Sequence, residues 1–142
     1  MSEFDISILN LLSEFKIDKR LITRIINNIF VDHNFKKANI NVVLTDDNDI
    51  IGLNKQYLGI DTTTDVLSFV IEMNKEKNIL EGEVYASLQQ IERQARDYNI
   101  NFENELLRIV IHGILHLVGY DDQLIKEKQQ MTEKENYYLE LV

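Results

Sequence analysis

Two histidines, His112 and His116, stand four residues apart in a stretch that is otherwise almost wholly apolar. On a helix this spacing projects both rings from one face, about one turn apart, close enough to share a single ion. Gly119 follows, a residue free to take the left-handed conformation that turns a chain sharply at a helix end. Asp122 then lies six residues after His116, able to return over the same face. Two imidazoles and a carboxylate make a three-ligand set whose fourth tetrahedral position is left for water, the arrangement of a catalytic zinc rather than a structural one. The competing reading is a pair of packed core histidines bonded to backbone. It suits a lone histidine better than a spaced pair followed by Gly and a doubled Asp.

The neighbouring residues narrow the chemistry. In zinc proteases of the H-E-x-x-H type a Glu general base follows the first His, whereas here that position is Gly113. Peptide hydrolysis therefore lacks its usual proton acceptor, and Glu83 and Asp65 are the outside candidates for a base. Each has a structural alternative, a solvated strand end for Glu83 and a loop or helix cap for Asp65. Arg108 falls one helical turn before His112, where a guanidinium can grip a phosphate bidentately and offset charge in a phosphoryl transition state. Its alternative is a salt bridge to Glu105 or a neighbour. Arg93, Arg96 and Lys55 extend a basic track for an RNA backbone, or else form a solvated helix face. His33, between Asp32 and Asn34, has no spaced partner and reads as surface loop.

The elements that must carry these groups read as a single α+β domain over residues 1–142, with a small mixed sheet, about five helices and the metal site on a buried central helix. Residues 4–11 read as an edge strand. Asp18 caps a helix in which Leu21, Ile22, Ile25, Ile26, Ile29 and Phe30 recur at helical spacing. A β-branched strand over 39–44 stops at Thr45-Asp46-Asp47, which starts a helix through Tyr57. Residues 59–65 form a polar loop, 66–71 a buried strand, 72–81 a charged mobile connection and 82–86 a strand joined to the previous one as a long hairpin. Ser87 caps a helix over 88–98, and Asn101 caps the next. From Leu106 to Val118 that helix is apolar nearly all round, too short for a membrane and too hydrophobic for a surface. Gly119 ends it, and a charged amphipathic helix over 123–141 follows.

Composition sets the boundaries. A chain of 142 residues without Cys excludes disulfides and thiolate metal sites, so any metal is held by His nitrogen and carboxylate oxygen. The absence of an apolar run of roughly 20 residues and the acidic start MSEFDISILN predict a soluble, cytoplasmic protein without membrane partners. A formal net charge of -9 argues against broad non-specific attraction to nucleic acid, DNA included, while leaving room for a local basic patch.

The run His112-Gly113-Ile114-Leu115-His116-Leu117-Val118-Gly119-Tyr120-Asp121-Asp122 closely resembles the H-G-x-L-H-L-x-G-Y-D-H signature of the YbeY family, bacterial endoribonucleases of ribosomal RNA maturation. Leu53-Asn54, Tyr57, Gly59 and Thr64-Asp65-Val66-Leu67-Ser68-Phe69 are similar to that family's upstream block ending in T-D-V-L-S-F. Gly82-Glu83, Glu92-Arg93-Gln94-Ala95 and residues 133–135 fall in the expected order, so the resemblance runs from about Asn39 onward. It implies a mixed sheet packed with helices, a metal on the three signature positions, and a role in small-subunit ribosomal RNA processing and ribosome quality control. Three departures stand out. Asp122 replaces the final signature histidine and puts an oxygen ligand on the metal. Leu58 stands where the family usually carries an arginine thought to serve catalysis or RNA binding, and Glu83 replaces the usual Asp after the glycine. The leading expectation is a monomeric, single-strand-specific endoribonuclease using one Zn²⁺, or another divalent transition metal, to activate water against an RNA phosphodiester. A non-catalytic ribosome-assembly factor with a structural metal and a metzincin-like peptidase are the alternatives.

Overall fold

The computed structural model describes residues 3–142. Along the chain come β1 (Glu3–Asn10), α1 (Lys19–Asp32), β2 (Lys37–Thr45), α2 (Asp47–Leu58), β3 (Val66–Asn74), β4 (Ile79–Ser87), α3 (Leu88–Asp97), α4 (Phe102–Leu117) and α5 (Ile125–Glu140). The strands form one sheet in the order β1-β2-β4-β3, with β1, β2 and β4 parallel and β3 antiparallel to β4. This is the α+β arrangement of mixed sheet and five helices expected from the sequence.

Alternation along the strands decides what the sheet buries. Ala38, Ile40, Val42 and Leu44 of β2 are buried, as are Leu80, Gly82, Val84 and Ala86 of β4. The register pairs Ile40 with Gly82 and Val42 with Val84, so both sets share one face. Into the same core pack Ile22, Ile25, Ile26, Ile29 and Phe30 of α1 and the apolar centre of α4, from Leu106 to Leu117. On the other face α2 gives partial cover, with Tyr57 against Phe69 at 5.2 Å between ring centroids and Phe69 against Tyr85 at 5.9 Å.

Helix starts follow the capping chemistry. The side chains of Asp18, Asp46, Ser87 and Asn101 each accept a backbone N–H in the first turn of α1, α2, α3 and α4, at 3.1, 2.9, 3.1 and 2.7 Å. Two expectations need correction in the hairpin. Residues 66–71 form the start of an edge strand, and Val70 and Ile71 are 51% and 55% exposed, because α4 covers only the Val66–Ser68 end of β3. The expected mobile connection over 72–81 is mostly strand. Antiparallel pairing continues to Asn74 opposite Ile79, with an irregularity between Val70 and Glu72, and leaves a turn over 75–78 in which Asn78 adopts φ 57°. Charged side chains here reflect an exposed edge, and strand pairing needs only the backbone.

Asp47 joins three segments. Its carboxylate accepts from Ser87 Oγ at 2.6 Å, Arg93 Nη2 at 2.8 Å and Thr63 Oγ1 at 3.3 Å, tying α2 to α3 and to the loop that leads into β3. Partial burial pushes its pKa upward, but these bonds and the Arg93 charge outweigh burial and hold the carboxyl below its ordinary value. A carboxylate with a depressed folded pKa stabilises the fold above its unfolded pKa of about 3.9, and that contribution is lost as pH falls through the folded value. Asp47→Asn is therefore expected to lower the denaturant midpoint at neutral pH, with the gap to wild type closing as the pH falls below the ordinary carboxylate value of about 3.9 and on through the folded one. An unchanged gap across that range would rule out the charge as the cause.

Candidate metal centre

The buried helix α4 presents His112 and His116 one turn apart, their ring centroids separated by 4.6 Å and their planes nearly perpendicular at 81°. Their Nε2 atoms face each other at 3.1 Å. Asp122 brings Oδ2 to 3.4 Å from His112 Nε2 and 3.6 Å from His116 Nε2. The turn after α4 makes this approach possible. Gly119 adopts φ 112° and Tyr120 N–H bonds back to Leu115 O at 3.0 Å, which sends the chain across the helix end.

Each ring is fixed from behind. His116 Nδ1 donates to Tyr120 O at 3.1 Å, and His112 Nδ1 donates to Glu135 Oε2 of α5 at 2.7 Å. Both partners accept, so the hydrogen of each neutral ring sits on Nδ1 and the Nε2 lone pairs are left pointing at one another. With a carboxylate oxygen on the third side, the arrangement invites a cation. Tetrahedral bonds of about 2.0–2.1 Å require donors about 3.3 Å apart. The three observed separations of 3.1, 3.4 and 3.6 Å bracket that value, so the residues fit a transition-metal ion. The same surroundings favour positive charge on the ring itself. Burial works to lower the His112 pKa, but the Glu135 hydrogen bond and charge, with Asp122 and Asp65 behind them, push it above its ordinary value.

His112, His116 and Asp122 line a cleft of about 660 Å³, walled by the start of β3, the end of α2 and residues 121–123. Asp65 lies in this cleft, as do Leu58 and Val70. Of the residues singled out as catalytic candidates, Asp65 alone lines it. Arg108 instead reaches α5, with Nη1 3.4 Å from Glu135 Oε1 and 3.2 Å from Asn136 Oδ1. Glu83 lies on the other face of the sheet, beside Phe69 and Tyr85, and accepts from Tyr85 Oη at 3.2 Å. The strand's alternation turns Gly82 and Val84 toward α4 and therefore Glu83 away from it.

Three further points depart from the sequence reading. His33 is half-buried, not a free loop residue: Nδ1 donates to Ile29 O at 2.7 Å and Nε2 accepts from Tyr120 Oη at 2.9 Å. The expected basic track is largely neutralised, since Lys55, Arg93 and Arg96 face Asp61, Asp47 and Glu92 at 3.7, 2.8 and 3.1 Å. The sequence assigns Glu135 no role, because α5 looks like an ordinary charged helix. One signal was available: Met131, Glu135 and Tyr138 recur at four- and three-residue spacing, and all three are buried.

Fold and donor set together define a class, α+β proteins that can hold a metal ion between a buried helix and the turn that follows it. Comparison with known proteins narrows that class. The family model described as Endoribonuclease YbeY matches residues 7–142. An endoribonuclease YbeY from Amoebophilus asiaticus (strain 5a2) is 38% identical over 127 residues, covering 89% of this chain and 85% of that protein. One from Thermotoga maritima is 43% identical over 106 residues, covering 74% and 68%. A solution structure of a Thermotoga maritima protein matches with a TM-score of 0.64 at 36% identity, covering 95% of this chain and 87% of that one. The chain belongs to the YbeY endoribonuclease family.

Proposed function

We propose that this chain is a metal-dependent endoribonuclease that cuts single-stranded segments of small-subunit ribosomal RNA in the cytoplasm, holding a zinc ion between His112, His116 and Asp122. The observation that carries this reading is the convergence of three donor atoms at tetrahedral separations in a cleft, in a chain of an endoribonuclease family. Two imidazole nitrogens with one carboxylate oxygen suit zinc, and leave one position open. When bound, such an ion supplies Lewis acidity toward a phosphate oxygen and lowers the pKa of water. The protein's own part is to aim the donors and to offer Asp65, a cleft carboxylate outside the three-donor set, as proton acceptor. The ribosomal substrate and the cytoplasmic location rest on family membership. No helix among the described residues is long and apolar enough to cross a membrane.

Purified protein supplied with zinc should cut small-subunit precursor RNA, and His112→Ala should not. Equal cleavage by both would trace the activity to a contaminant, and RNA binding with no cleavage by either would favour the assembly-factor reading.

The lining of the cleft adds a second expectation. Among its described residues there is no Lys or Arg, while Asp65, Asp121 and Asp122 all contribute. Within the cleft, grip on an RNA phosphate is thus left to the bound ion. Affinity for single-stranded RNA should depend weakly on salt. Leu58→Arg places a cation on an exposed cleft wall and is expected to steepen the plot of log affinity against log salt by about 0.7. An unchanged slope would mean that the strand does not pass Leu58.

A further inference from the structure

We propose that Arg108 and Glu135 form a positioning relay behind the metal centre, in which Glu135 aims His112 and Arg108 holds Glu135 in place. This rests on the metal reading above. Glu135 is only 7% exposed, although it sits in the most highly charged helix of the fold. Burying a carboxylate is costly unless charge and hydrogen bonds meet it. Its two oxygens are divided between two tasks: Oε2 accepts from His112 Nδ1 at 2.7 Å, and Oε1 faces Arg108 Nη1 at 3.4 Å. Asn136 Oδ1, 3.2 Å from the same Nη1, keeps the guanidinium on this side of α4.

The consequence for His112 is a ring that can neither swing nor exchange tautomers without breaking a short, charge-assisted bond. Nε2 is left bare and aimed at His116 and Asp122. His116 has a weaker guide, the neutral carbonyl of Tyr120 at 3.1 Å. The relay therefore acts on one ligand of the three. It also gives Arg108 a role other than the phosphate grip expected from its helical phase, because its guanidinium is committed to α5.

The test is zinc affinity, measured by competition with a chromophoric chelator, together with the ¹⁵N NMR tautomer signature of His112 in the metal-free protein. Glu135→Ala is expected to weaken zinc binding roughly 10–100-fold, the usual range for a partner that orients a metal-bound histidine. Glu135→Gln keeps an oxygen acceptor in nearly the same shape, and should show a smaller loss and a partial shift away from the Nδ1–H tautomer. Arg108→Met should weaken binding in wild type and have little further effect in the Glu135→Ala background, the non-additivity that marks action through a common residue. Should Glu135→Ala fail to fold, the Glu135→Gln pair of readouts decides alone. Affinity within about twofold of wild type and an unaltered His112 tautomer in the Glu135 variants would overturn the relay. His112→Ala separates the two levels. If it still binds one equivalent of zinc, the metal centre itself is wrong, whereas if it binds none while the Glu135 variants bind normally, only the relay is.

Discussion

Replacing His112 or His116 with alanine is expected to remove the bound metal altogether and lower RNA cleavage on the order of 10³-fold or more, because on the proposed reading each supplies one of only three protein ligands. Among the described residues no fourth side chain joins this group. His112, His116 and Asp122 are the one group of three or more His, Asp or Glu side chains among the described residues that converges closely enough to share an ion. His33, the remaining histidine, is engaged with Ile29 and Tyr120. Elemental analysis should find about one equivalent of a transition metal in wild type and none in either variant. Asp122→His, which restores the donor type of the family signature at this place, is expected to keep the ion. A full equivalent of metal in His116→Ala would show that the rings do not act as ligands and would end the hydrolytic reading.

The second large effect is expected from a single methyl group. Gly113 lies where α4 crosses β3 and β4, and a Cβ there would stand 2.8 Å from Val84 Cγ1, 3.0 Å from Val66 Cγ2 and 3.2 Å from Ser68 Oγ. In an exposed helix interior Gly→Ala stabilises by about 1 kcal/mol. Here the sign reverses. Val84 is fully buried and cannot step aside, and Ser68 Oγ donates to Gly113 O at 2.8 Å, which fixes the helix against the strand. Gly113→Ala is expected to destabilise the protein by about 1–3 kcal/mol through overpacking. The helix must lift from the sheet, moving His112 relative to the cleft, so cleavage should fall along with the melting temperature. A variant more stable than wild type would show that the helix and strand have slack the structure does not contain. The same contacts leave no room at 113 for the protease glutamate, whose Cβ alone would already meet Val84 and Val66.

Much of the site was legible because local rules govern it. Two histidines at helical spacing, a glycine and a following Asp are short-range facts, and their convergence requires only one helix and one turn. Helix caps at Asp18, Ser87 and Asn101 were equally local, a matter of one side chain and its own first turn. What escaped depended on partners far along the chain. Glu135 meets His112 across 23 residues and His33 meets Tyr120 across 87, and composition does not tell which charged residue of a helix will face inward. Arg108 was correctly phased with the histidines yet committed to α5, a choice made by packing. Glu83 illustrates the opposite limit: its charge is plain in the sequence, but only the sheet's pleat and the side on which α4 lies decide which way it points. In the hairpin, charged residues at positions 72, 75, 76, 77 and 81 masked strands whose pairing is carried by backbone.

The far end of α1 fastens both segments that complete the centre. Asp32 accepts from Tyr138 Oη of α5 at 2.9 Å, while His33 accepts from Tyr120 Oη in the turn that leads to Asp122. Adjacent residues of the amino-terminal half thus act as a double latch on the carboxy-terminal half. Unzipping that helix end would release the turn that carries Asp122 and the helix that carries Glu135 together, so the candidate centre would come apart as a unit with the first crossover and not one side chain at a time.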